Sequence, residues 1–444
     1  SVACTGVTPC GTGNSSGNGD IFVNDGVTWS SDKKLTLSAW RNVHINAPIN
    51  LNGAGGGLAL EFAQAGDMFS FLPGTYTVSA PVNLAADATF STKAATDGPV
   101  INYTVIRDAT GLAAITSDLA GAYVLGTDIT APGSSWAPLG NTANPFMGIF
   151  DGLGHKVTGL QHTNAGADID VGLFGANGVA GLIQNVGVTG VDIAGSQNVG
   201  ALAGYNNGLI VNSYATGTVQ GTGAGSVGRI GGLVGFSMGP IFGSYANVNV
   251  TATSGNQTGD PLADGRGGIG GLAGVIGGSV SDSYARGAVT GGTAVGGLVG
   301  YSAGTISNSY STGAVSGTAN VNGLVGQVFD PNAFTPFIFG SFWDTDTSGQ
   351  MSGGGGVSDF VVGRFTSQMK DPTGYTVAGW DTNIAWELRS GQYPLLKQML
   401  QPVYVIADNK ISTYNGSAFT AFTSTTSPTG TPGGKSFTGR SSDA

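Results

Sequence analysis

Gly297-Leu-Val-Gly-Tyr-Ser-Ala-Gly-Thr-Ile-Ser-Asn-Ser-Tyr310 is one copy of a unit that recurs through the middle of this 444-residue chain. Its opening appears as Gly172-Leu-Phe-Gly175, Ala201-Leu-Ala-Gly204, Gly232-Leu-Val-Gly235, Gly271-Leu-Ala-Gly274, Gly297-Leu-Val-Gly300 and Gly323-Leu-Val-Gly326. The leucines stand at Leu173, Leu202, Leu233, Leu272, Leu298 and Leu324, with spacings of 29, 31, 39, 26 and 26 residues. A tyrosine follows four of them at a constant distance of 12, at Tyr214, Tyr245, Tyr284 and Tyr310. One part of each unit is therefore fixed in length, and the excess falls after the tyrosine, as in 251–268. A unit of two or three short apolar strands cannot bury its own hydrophobic face, but stacked copies can. The spacing predicts an interior leucine row and an aromatic column, with Phe342 as its last rung. Gly at fixed offsets fits sharp corners and close backbone approach. A β-propeller blade needs about 40–45 residues, so the expected fold is an all-β, right-handed parallel β-helix, a solenoid of short-strand coils with loop insertions and a C-terminal cap.

Working outward, the composition agrees. The 79 glycines and 17 prolines approach the range of disordered chains, yet 40% of residues are hydrophobic, including 20 Phe, 13 Tyr and 6 Trp. The glycines lack a three-residue period, which excludes collagen. No apolar run nears the roughly 20 residues of a membrane helix. Charged residues are 9% of the chain and leave a net charge of −10, so the basic footprint of a nucleic-acid binder is missing, and polyanions such as heparin are poor partners. Only Glu61 and Glu387 are Glu; the other acids are Asp, a turn former. Cys4 and Cys10 suit a short local disulfide in an oxidising exterior, against the alternative of two isolated thiols near a terminus. No signal peptide is visible at Ser1, as expected of a mature or trimmed fragment. Residues 424–444, rich in Ser, Thr, Gly and Pro, read as linker or disorder.

Before the repeats, short strands are predicted at 21–23, 35–37, 43–45, 49–51, 58–62, 103–109 and 123–129, with a short helix or turn at 112–119. Asn42, Asn46, Asn50 and Asn52 punctuate them and suit stacked corners. After Phe342, segments 365–369, 380–386 and 393–400 are expected to cover the last coil, since a bare solenoid end is an exposed edge. The organisation expected is a β-helical part at 1–145, the repeat array at 146–345, a closing cap at 346–400, and a new extended segment plus tail at 401–444.

The Gly-Leu-Val-Gly and Asn-Ser-Tyr pairings resemble GLUG repeats. Residues 35–49, Leu-Thr-Leu-Ser-Ala-Trp-Arg-Asn-Val-His-Ile-Asn-Ala-Pro-Ile, resemble filamentous-haemagglutinin-like exoproteins, as do Tyr123-Val-Leu-Gly-Thr-Asp-Ile129 and Gly148-Ile-Phe-Asp-Gly-Leu-Gly-His155. Ser341-Phe-Trp-Asp-Thr-Asp-Thr-Ser-Gly349 and Gly391-Gln-Tyr-Pro-Leu395 resemble array endings, and Ala407-Asp-Asn-Lys-Ile-Ser-Thr-Tyr414 resembles the start of an MBG-type repeat. The resemblance spans roughly 20–415. It implies a fragment of a secreted or surface-displayed adhesin, often exported by two-partner secretion through an outer-membrane partner. GLUG repeats also accompany IgA-protease-like proteins, but the His-Glu-x-x-His zinc helix does not occur here.

Extracellular β-helices also cleave polysaccharides, a reaction that usually needs two carboxylates across the scissile bond. Asp168/Asp170 and Asp344/Asp346 are candidate pairs if each alternates along an extended segment, although turn-forming Asp is the simpler reading. Arg229, Arg266 and Arg286 lie at different offsets from the repeat leucines and read as solvent-facing loop residues. His155 and His162 match no compact zinc spacing. Asp260, Asp264 and Arg266 occupy the longest insertion and, with Arg286, are the loop candidates for binding. Phosphate-loop and nucleophile-elbow motifs are missing. No catalytic residue, metal or cofactor is assigned. The expected function is adhesive, a stalk presenting loops to a host-cell or matrix glycan or protein; the alternative is a polysaccharide-degrading hydrolase or lyase.

Overall fold

A computed structural model describes residues 19–64, 75–163, 169–222, 228–252, 267–329, 338–354 and 361–399, together with two strands further on. Cys4, Cys10, Asp168, Asp260, Asp264 and Arg266 lie outside the described residues. The chain divides into a large unit, Ser1–Leu400, and a smaller one, Gln401–Ala444. Within the smaller unit Tyr404–Ala407 pairs antiparallel with Ser424–Ser427.

The large unit is a parallel β-solenoid. Its first three coils each lay one strand on each of three faces. Ile21–Val23, Val43–Ile45 and Tyr76–Val78 form one face, and Val27–Trp29, Ile49–Leu51 and Val82–Leu84 a second. Lys34–Ser38, Gly57–Phe62 and Thr89–Ala94 form the third. The chain then reverses once, because Thr89–Ala94 pairs antiparallel with Val100–Ile106. From Val100–Ile106 the same sheet continues in parallel through Ala122–Leu125 to Ile338–Phe339. A second long sheet runs from Ile129–Thr130 to Val361–Arg364, and two six-stranded sheets, starting at Asp170–Val171 and Phe174–Asn177, close the coil. The segment 109–117 turns as one short helix followed by a 3-10 turn.

Each leucine of the repeat is fully buried in one continuous core. Their backbones are bonded in series. Leu202 N donates to Leu233 O, Leu233 N to Leu272 O, Leu272 N to Leu298 O and Leu298 N to Leu324 O, at 2.8–2.9 Å. Successive units therefore lie directly one above another, at the 4.7–4.9 Å repeat of paired strands.

The corner before each tyrosine explains the Asn-Ser-Tyr motif. Asn212, Gly243, Asp282, Asn308 and Gly340 all sit at positive φ, 47–58°. Only Gly, Asn and Asp visit this left-handed backbone readily. The following serines, Ser213, Ser244, Ser283, Ser309 and Ser341, are fully buried and stack. Each Oγ donates to the carbonyl two residues back, and each of the first four backbone N–H groups donates to the next serine's Oγ at 3.1–3.2 Å. Polar groups that the turn would otherwise bury unpaired are thus satisfied from one coil to the next. A looser ladder, Asn83 to Asn50 to Thr28, joins the N-terminal coils.

The segment after the repeats does more than close the end. Val361–Arg364 adds a last parallel strand beside Ser341–Asp344. The chain through Trp380, Trp386 and Tyr393 then returns along the flank of the solenoid as a strap. It bonds Gly340 O through Trp380 Nε1, Asp282 Oδ1 through Trp386 Nε1, and the coil of Asn212 through Gln398.

Candidate functional site

Tyr214, Tyr245, Tyr284 and Tyr310 face away from the leucine core, since the adjacent Ala215, Ala246 and Ala285 point into it. Their rings stack at 4.7–4.9 Å with interplanar angles of 3–13°. The strand repeat imposes that spacing. Phe342 stands in register with Tyr310, but its ring packs edge-on against Tyr375 and tilted against Trp380. The strap covers much of the column: Trp380, Trp386 and Leu396 join Tyr284, Tyr310 and Phe342 in a second apolar cluster. Burial pushes the Tyr284 hydroxyl up to about 12 and raises the Tyr245 and Tyr310 hydroxyls as well.

The strap and column leave a cleft of about 280 Å³ between them, lined by Thr216, Tyr245, Asn247, Tyr284, Arg286, Leu395, Leu396 and Met399. Arg286 is not on the projecting loop that the sequence reading expects for it. It lies on the shaft wall, two residues after Tyr284, because the coil here carries no insertion. Its guanidinium sits 4.6 Å from the centre of the Tyr284 ring. Nε donates to Tyr310 Oη at 3.1 Å and a terminal nitrogen donates to Pro394 O at 3.0 Å. A guanidinium held in this way can bind a small anion.

Arg229 is also a wall residue. It is buried, lies 4.4 Å from the centre of the Phe236 ring and bonds Asn198 Oδ1. Neither arginine is the solvent-facing loop residue the sequence suggests, because each lies over an aromatic ring of its own coil.

The Asp344/Asp346 pair is structural. Asp344 is fully buried at the end of its strand and caps the helix Thr345–Ser348, in whose first turn Asp346 lies. Asp344 accepts from Asp346 N, Thr347 N, Thr366 Oγ1 and Tyr393 Oη, while Asp346 accepts from Thr366 N. The two residues do not alternate along an extended segment, because a helix N-cap turns the chain there. Asp344 anchors the strap through Tyr393, and both carboxylates hold Thr366, ahead of it in the chain.

Asp170 lines a second cleft of about 470 Å³ with Thr142, His162 and Ile169. Its carboxylate is engaged by Thr142 N and Asn198 Nδ2. His155 is buried at the junction of the two solenoid parts, bonded to Val82 O and Asp128 Oδ1. The His155 bond holds the Asp128 carboxyl below its usual range. Among the described residues, no three His, Cys, Asp or Glu gather as metal ligands, and no helix is long and apolar enough to cross a membrane.

The GLUG motif matches residues 195–220 and 291–316, each containing a row leucine and its tyrosine. The chain is 39% identical over 92 residues to Halomucin of Haloquadratum walsbyi, covering 20% of this chain and 1% of that protein. It is 39% identical over 83 residues to a "Putative Gly-rich membrane protein" of Evansella cellulosilytica, covering 18% of this chain and 10% of that protein. The matched stretches thus span a tenth or less of these curated relatives. The crystal structure of a "putative immunoglobulin A1 protease" from Bacteroides ovatus superposes with a TM-score of 0.50 at 21% identity, over 67% of this chain and 93% of that one. That likeness concerns the fold alone. The chain is a GLUG-bearing parallel β-solenoid with local sequence kinship to a halomucin and to a glycine-rich membrane protein.

Proposed function

We propose that this chain is part of a secreted or cell-surface bacterial adhesin, in which the solenoid is a stalk that presents binding surface to host-cell or matrix glycans or proteins. The observation that carries the reading is the unbroken axial register from Leu202 to Leu324. Such a stack places variable segments on its outside without disturbing the core. The relatives' names, a halomucin and a membrane protein, fit a surface setting. Export through an outer-membrane secretion partner belongs to the same proposal. The polysaccharide-cleaving alternative loses support from the Asp344/Asp346 pair, whose oxygens are engaged by Thr366 and Tyr393.

The test is an array of neutral and acidic glycans and matrix proteins, probed with the full chain for retention and for cleavage products. Retention without new reducing ends or unsaturated sugar is expected. Turnover of any glycan, or retention by nothing on the array, would contradict the proposal.

A further inference from the structure

We propose that the cleft between the tyrosine column and the strap binds a carboxylate-bearing sugar residue, with Arg286 as its anion-binding group. This rests on reading the chain as a glycan- or matrix-binding shaft and names a ligand class for it. At about 280 Å³ the cleft falls just below the roughly 300–1,000 Å³ typical of drug-sized ligand pockets, which suits one sugar ring.

Arg286 is already oriented. The Tyr284 ring, Tyr310 Oη and Pro394 O hold one edge of its guanidinium. Among the described residues no carboxylate forms an ion pair with it, and its Nη1 is bonded to no protein acceptor yet is not sealed from solvent. A half-buried guanidinium without a counter-anion is unfavourable, and an incoming carboxylate supplies one through charge-assisted hydrogen bonds.

The other groups match the rest of a sugar. The Tyr245 and Tyr284 hydroxyls line the cleft with no bonded partner among the described residues, and Asn247 and Thr216 add amide and hydroxyl groups. Leu395 and Met399 offer an apolar edge for the C–H face of a ring. One arginine without a second cation favours a monoanionic carboxylate over a phosphate or a sulfated chain. The net charge of −10 also works against accumulating polyanions, so recognition here is short-range.

The experiment titrates the full chain with three probes: a glucuronate-containing trisaccharide, an N-acetylneuraminate-containing trisaccharide, and a neutral glucose trisaccharide. Binding of at least one acidic probe, with the neutral one at least tenfold weaker, is expected. The two acidic arms tell which carboxylate source fits. Arg286→Gln should abolish binding but also removes a bond to the strap. Tyr245→Phe keeps the stacked ring and removes only the hydroxyl, so it should weaken binding about fivefold, the worth of one neutral hydrogen bond, with an unchanged melting temperature. The proposal is overturned if neither acidic probe binds, or if binding is undiminished in both folded variants. Should the cleft fail in this way while the chain still retains other glycans or matrix proteins, the display function stands and only this assignment falls.

Discussion

Replacing Gly271 by alanine puts one methyl group where two coils touch. A Cβ built on Gly271 would lie 2.2 Å from the carbonyl oxygen of Gly297 and 2.8 Å from Ala285 Cβ. The first neighbour is backbone and cannot swing away, so the rung must lift by about 1 Å to restore ordinary contact. Lifting it strains the bonds from Leu272 N and Ala273 N to Leu298 O, at 2.8 and 3.2 Å. Two buried donors left without partners cost about 1–3 kcal/mol each, or about 2–6 kcal/mol together. Long repeat arrays do not unfold in one step, so the local readout is amide hydrogen exchange over 268–300. Exchange there should accelerate at least thirtyfold, roughly the lower bound of that cost, while 43–62 stays protected. Gly133→Ala is the control: a Cβ there meets nothing within 4 Å and φ is ordinary, so stability should hold or rise by about 0.4–1 kcal/mol. Unchanged protection in Gly271→Ala, or equal loss in Gly133→Ala, would refute the close-approach argument.

Three further outcomes follow from the strap and the tyrosine column. Tyr284→Ala should cost about 3–5 kcal/mol by opening a cavity beneath Trp386, seen as a red-shifted tryptophan emission, whereas Tyr284→Phe should leave that emission in place. Alkaline pH should loosen the column: the Tyr284 hydroxyl is raised to about 12 from an unfolded value near 10, so its contribution is intact below about pH 10 and is lost as pH climbs to about 12, measurable by tyrosinate absorbance alongside circular dichroism. Asp344→Asn replaces one acceptor oxygen beneath Thr366 and Tyr393 with a donor, and should cost about 1–3 kcal/mol and make 361–399 cleavable by limited proteolysis at temperatures where the parent chain resists.

The leucine row and tyrosine column are visible in the sequence because a constant offset of 12 residues survives while the rest of each unit varies. The corner was only half legible. Asn-Ser-Tyr is recognisable as a motif, yet its cause, a left-handed residue followed by a buried serine bonded to the coil beside it, appears once the turns are aligned and Asn212, Gly243 and Asp282 prove interchangeable. The strap was not legible as such. It carries no repeat, and Trp386 meets Asp282 across 104 residues of chain. The Arg286 cleft depends on that return, since Pro394 and Leu395 complete it. The reversal between Thr89–Ala94 and Val100–Ile106 was hidden too, because an antiparallel hairpin and a parallel coil present the same short alternating strands. For Asp344 and Asp346 the simpler, turn-forming reading describes the structure, since an i, i+2 pair shares a face in a strand but not where the first residue caps a helix.

The central claim, that successive units lie in register one above another, is tested most directly by cysteine pairing across two coils. With Cys4 and Cys10 replaced by serine, Thr290→Cys and Ser316→Cys are introduced together; these exposed residues are register partners whose side-chain oxygens lie 3.0 Å apart. Their Cα atoms should be about 4.8 Å apart, within reach of a disulfide. Thr290→Cys with Thr318→Cys lies two residues out of register, at about 8 Å, beyond that reach. Stacked coils predict rapid oxidative closure of the first pair and none of the second. Closure of the second pair, or of neither in a folded chain, would contradict the stack.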